Sequence, residues 1–173
     1  MTVISEFLLL LQGPVLVPTM LWTIAPLVVV TLAMTLYFGK YPNEKLGWNT
    51  VLGNSIVLVF VALDLLRTIH SYSSSFGAFL LHPGKILLIL LLVCESFVFS
   101  YAAFKHKLPK IMFFFASAPS INSQAYILTT IVYLRTRPSL DTILAAVLFF
   151  VVLLAFLRLV QEIQHFSLGK HAK

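Results

Sequence analysis

The run LDTILAAVLFFVVLLAFLRL, residues 140–159, carries charge only at Asp141 and Arg158, one near each end. A bilayer's hydrocarbon core takes a helix of about 20 apolar residues. Nothing in that core can hydrogen-bond a bare backbone N–H or C=O, so a spanning segment must satisfy its own, as a helix does. Four further stretches meet the same length test: residues 15–38, with Pro18 and Pro26 inside, then 48–69, 86–104 and 111–134. The sequence therefore predicts an all-α, polytopic transmembrane helix bundle of five spans forming a single domain. Residues 160–173 are expected to form a polar, helical C-terminal tail. The composition agrees, with 60% hydrophobic and 10% charged residues, where a soluble domain has about 45–50% and 25%.

The first residues, MTVISEFLLLLQGP, contain no basic segment and do contain Glu6, which argues against a secretory signal. Their apolar run is too short to span, so a short interfacial helix broken at Gly13-Pro14 is expected. The connections read as a turn-rich loop at Pro42 and Asn43, a longer segment whose FGAFLL dips toward the interface, a basic KHKLPK turn and a minimal TRPS turn.

The net charge of +6 does not point to nucleic acid, because Lys and Arg lie between and after the apolar runs, where they set topology and meet lipid headgroups. A five-span arrangement puts Lys40, Lys45, Lys105, Lys107, Lys110, Arg158, Lys170 and Lys173 on one side, and Arg67, Lys85, Arg135 and Arg137 on the other. That bias predicts a multi-pass protein of the cell membrane with its N-terminus outside and its C-terminus cytoplasmic. A re-entrant fourth stretch would flip the later assignments. Cys94 is the one cysteine, which excludes an internal disulfide and a thiolate metal site and reads as a small buried hydrophobe.

Polar residues select candidate faces. At 100° per residue, Asn49, Gly53, Asp64, Arg67 and Ser71 fall within about 60° of one line, predicting an inward face on the second span. The first span offers a ridge of Thr19, Thr23, Pro26, Val30, Ala33 and Tyr37, and the third a stripe of Ser96, Ser100 and Ala103 beside Glu95. In the fourth, Asn122, Tyr126, Thr129, Thr130 and Tyr133 share a side. Such stripes hold membrane helices together through close approach and interhelical hydrogen bonds.

Asp64 and Arg67, three residues apart, can pair along one helix face while Arg67 reaches toward the headgroups. Glu95 falls near the middle of its span, where a carboxylate costs at least about 2.5 kcal/mol to insert, which makes it a candidate proton or cation site or a partner for Arg67. Pro119 removes a backbone donor and disfavours helix at Ala118, predicting a helix break amid Ser117, Ser120, Asn122, Ser123 and Gln124. Broken helices at membrane depth form ion and solute sites in transporters. The candidate ion or polar-solute site is thus Glu95, Asn54, Asp64, Arg67, Ser120, Asn122 and Gln124, with the break at Pro119.

No HExxH, GxSxG, P-loop, GxGxxG or paired-Asp motif is present. The five histidines sit at span ends or in loops, and no catalytic residue, metal ligand or cofactor is indicated. The leading reading is a non-catalytic subunit of a membrane complex or homo-oligomer with a polar bundle interior. Its partners would be the lipid bilayer and other membrane subunits or further copies. The rivals are a channel or carrier for protons, cations or a small polar solute, and a lipid-modifying or intramembrane enzyme using Asp64, Glu95 and His70. Arg158, Glu162 and His165 share a face of the tail and read as a solvated or partner-contacting surface.

Overall fold

The computed structural model describes residues 2–41, 47–73, 81–134 and 138–169. The expected turn at Pro42 and Asn43, all of FGAFLL but Leu81, and Thr136 and Arg137 of the TRPS turn lie outside them. So do Lys45, Arg135, Lys170 and Lys173. Among the described residues seven α-helices follow in order: α1 (Val3–Leu16), α2 (Leu21–Lys40), α3 (Trp48–Tyr72), α4 (Pro83–Lys105), α5 (Lys110–Phe115), α6 (Ala118–Tyr133) and α7 (Leu140–Gly169). A 3-10 turn over Pro18–Met20 leads into α2, and no strand occurs among the described residues. Among the described residues four segments are long and apolar enough to cross a membrane: Pro18–Lys40, Trp48–Tyr72, Pro83–Lys105 and Leu140–Phe166. The stretch expected as the fourth span, residues 111–134, is divided into α5, of 6 residues, and α6, of 16.

The packing inverts the order a soluble protein would show. The most apolar segment, in α7, has 17% of its residues buried inside the protein, whereas the less apolar α3 has 39%. Lipid is as good a solvent for Leu and Val as protein is, so apolarity does not drive a helix inward here. What goes inward is α6, with eleven of its sixteen residues buried, among them Ser120, Asn122, Ser123, Thr129 and Thr130. It stands between two apolar clusters. Val51, Leu58, Leu65, Ile89, Leu92 and Phe99 of α3 and α4 meet Ile121, Ala125 and Val132 on one side. Leu10 of α1 and Ala145 and Phe149 of α7 meet Ile127 and Ile131 on the other. Aromatic contacts extend the second cluster, with Phe149 tilted against Phe7 and stacked on Tyr126 at 5.4 Å.

Four expectations are corrected. Helix α1 runs through Gly13 and Pro14 to Leu16, and the chain turns at Val17–Pro18 instead. Gly13 is needed for contact: a Cβ there would lie 2.6 Å from Thr130 Cγ2. The inward line of α2 is Ile24, Leu27, Thr31, Thr35 and Gly39, with Pro26, Val30, Ala33 and Tyr37 exposed. On α3 the buried stripe is Val51, Ser55, Leu58, Ala62, Leu65 and Ile69, while Gly53, Arg67 and Ser71 of the expected inward line are exposed. Cys94 is exposed on the apolar outer face of α4. The stripe on α4 does face the protein: Ser96 Oγ donates to the Ser55 carbonyl at 2.6 Å, and the Ser55 and Ser100 hydroxyls lie 2.8 Å apart.

Candidate functional site

The break between α5 and α6 falls at Ala116–Ser117. Pro119 occupies the first turn of α6, where its missing N–H is one the helix would not have used. A chain turning inside a bundle leaves carbonyls without partners, and Asn54 answers one of them: its Nδ2 donates to the Ala116 carbonyl at 2.9 Å. The Ser117 hydroxyl donates to the Phe114 carbonyl at 2.7 Å and lies 3.2 Å from the Ser120 hydroxyl. Ser123 Oγ donates to the Pro119 carbonyl. Asn122 points to α2 and donates from Nδ2 to Thr31 Oγ1 at 3.0 Å and to the Leu27 carbonyl at 3.3 Å.

Asp64 joins three helices. Its Oδ2 accepts from Thr23 Oγ1 of α2 at 2.6 Å and from the Tyr133 hydroxyl of α6 at 2.9 Å. Its Oδ1 accepts from Arg67 Nη2, one turn along α3, at 2.9 Å. The Arg67 side chain is 79% exposed and that of Asp64 20%, so Arg67 caps the cluster from outside. Arg67 is engaged there, and the expected alternative of a Glu95–Arg67 bridge is not formed. Glu95, thirteenth of the 23 residues of α4, is instead half-buried near Gln124 of α6.

The expected site residues therefore do not converge on one place. Asp64 and Arg67 belong to the three-helix cluster, Glu95 and Gln124 stand near one another between α4 and α6, and Asn54, Ser120 and Pro119 gather at the break. Asn122 separately ties α6 to α2. The Tyr126 hydroxyl, donating to the Leu10 carbonyl at 2.9 Å, plays the same part toward α1. Among the described residues no three His, Cys, Asp or Glu side chains stand close enough to share a metal ion.

Two features escaped the sequence reading. Glu6 is buried to 5% exposure, on the line of α1 that also buries Leu10 and Gly13. That i, i+4, i+7 spacing was legible, but Glu6 entered only as an argument against a signal peptide. The second is a cleft of about 490 Å³ bounded by the C-terminal end of α2, the α5–α6 break and the outer half of α7. Phe38, Phe113, Phe114, Leu154 and Leu157 form its apolar walls, and Ser117 and Ser120 stand at the start of α6. Arg158, Gln161, Glu162 and His165 of α7 line the rest. The tail face expected to be solvated or to contact a partner thus borders a cavity. Gly39 brings α2 and α7 together there, since a Cβ would sit 3.4 Å from Gln161 Cα and collide with the Gln164 side chain. No family model, curated protein or solved structure matches the chain.

Proposed function

We propose that this protein is a non-catalytic component of a membrane assembly, a hetero-complex or a fixed homo-oligomer, whose polar interior holds its own helices in register. One observation carries the reading: Asn54, Asp64 and Asn122 each bond outside their own helix, Asn54 to the α5–α6 break and the other two to neighbouring helices. Polar groups used in this way fix helix positions and leave little free hydrogen-bonding capacity for a solute. The Lys and Arg bias, with the ends of α2, α4 and α7 on the richer side, supports a cytoplasmic C-terminus. The test is purification in native-lipid nanodiscs, followed by mass determination over a range of dilutions. A constant stoichiometry above the 19.4 kDa monomer is expected. A monomer free of partners at every dilution would overturn the reading.

A second reading, a carrier or channel for protons or cations, is favoured by the position of Glu95, half-buried near the middle of α4 and close to a helix that starts at a break. Its measure is flux into liposomes. Equal flux by the native chain and Glu95→Gln would remove Glu95 from any transport mechanism.

A further inference from the structure

The cleft between α2, the α5–α6 break and α7 holds groups of three kinds. Its walls are aromatic and aliphatic, Phe38, Phe114 and Leu154 among them. Arg158 and Glu162, one helical turn apart on α7, both line it, and neither forms an ion pair among the described residues. Opposite charges at this spacing commonly pair with each other. The third component is the N-terminus of α6, a 16-residue helix whose leading residue, Ser117, makes no side-chain cap because its hydroxyl is turned to the Phe114 carbonyl. Ser117, Pro119 and Ser120 set this end of α6 against the cleft, at the positive end of the helix dipole.

We propose that this cleft binds a phospholipid whose headgroup carries both a phosphate and a primary ammonium. The phosphate lies between Arg158 and the start of α6, the ammonium faces Glu162, and the acyl chains leave along Phe38 and Leu154. Each charged group of the cleft then meets its opposite, which a purely anionic headgroup would not achieve because Glu162 would repel it. The volume of about 490 Å³ is within the usual range of roughly 300–1,000 Å³ for a small-molecule site. It suits a headgroup with its glycerol, the chains remaining in the bilayer. Lys40, exposed beside Gly39, adds positive potential at the same end of the bundle. This inference does not depend on the protein being a subunit.

The full chain is reconstituted in phosphatidylcholine nanodiscs containing equal minor fractions of phosphatidylethanolamine and phosphatidylglycerol. Native mass spectrometry then reads the retained lipid. Phosphatidylethanolamine is expected to be enriched roughly tenfold over its share of the disc. Arg158→Gln should abolish the enrichment, and Glu162→Gln should shift the preference toward phosphatidylglycerol. Leu154→Trp, which fills the apolar wall without touching a charge, should also displace the lipid, and the melting temperature of each variant verifies its fold. Enrichment of phosphatidylglycerol over phosphatidylethanolamine in the native chain, retention in proportion to the disc, or unchanged enrichment in Arg158→Gln would overturn the proposal. So would stabilisation by inorganic phosphate equal to that by the lipid, which would mark a site for the free anion.

Discussion

The cluster at Asp64 permits a quantitative test. Tyr133→Phe removes one hydroxyl, whose distance to Asp64 Oδ2 is 2.9 Å, and Asp64→Ala removes the acceptor. Interhelical hydrogen bonds in membrane proteins show coupling energies averaging about 0.6 kcal/mol with a maximum near 1.7. A carboxylate acceptor makes the bond roughly twice as strong as a neutral one, so the Asp64–Tyr133 coupling should fall at about 1.2–1.7 kcal/mol. Thr23, at 2.6 Å from the same oxygen, should give a similar value through Thr23→Val. Arg67 is largely exposed, and its pair with Asp64 should contribute less than about 1 kcal/mol. The assay is reversible unfolding in bicelles of the native chain, the two single variants and the double variant. A coupling below about 0.3 kcal/mol, the level of independent sites, would refute the idea that Asp64 binds α6 to α3.

Three further outcomes are expected. Gly13→Ala should destabilise by about 1–3 kcal/mol through overpacking against Thr130, and adding Thr130→Ser should recover much of the loss because it deletes the opposing methyl; equal stability of Gly13→Ala and the native chain would contradict the α1–α6 contact. Asn54→Ala leaves the Ala116 carbonyl buried without its donor and should cost about 1–3 kcal/mol, read as a lowered unfolding midpoint. Cys94, exposed among apolar side chains, should react in intact vesicles with a membrane-permeant maleimide and resist a charged thiosulfonate. Rapid labelling by the charged reagent would place Cys94 in water.

The presence of membrane-crossing helices was readable because length and apolarity are what the bilayer demands. Pro119 lies close to where the fourth stretch divides, although the break falls at Ala116–Ser117 and Ala118, expected to be non-helical, is the first residue of α6. Which way each helix faces was much harder to read. The inward line of α2 lies one residue on from the expected ridge at Ile24, Leu27 and Thr31 and two on at Thr35 and Gly39, a rotation of about 140°. Val, Leu and Thr occur all around that helix, and lipid and protein reward them equally. On α3 the polar line misled because Asp64 bonds sideways to α2 and α6 while Arg67 reaches out, so the inward stripe is the apolar one with Ser55. The α4 stripe was legible because Ser96, Ser100 and Ala103 permit close approach of a partner helix. The cleft was not, since it joins the end of α2, the break before α6 and the far half of α7, segments distant in sequence and adjacent only after packing.

Paramagnetic relaxation of backbone amides by a nitroxide lipid, recorded in nanodiscs on the unmodified chain, tests most directly whether α6 is enclosed by the other helices. Amides of residues 120–132 should show little enhancement on any side, while those of Leu90, Phe97, Val151 and Phe156 broaden strongly. A periodic enhancement along α6, peaking every three to four residues at Asn122 or Thr129, would put its polar side chains against acyl chains and contradict the arrangement.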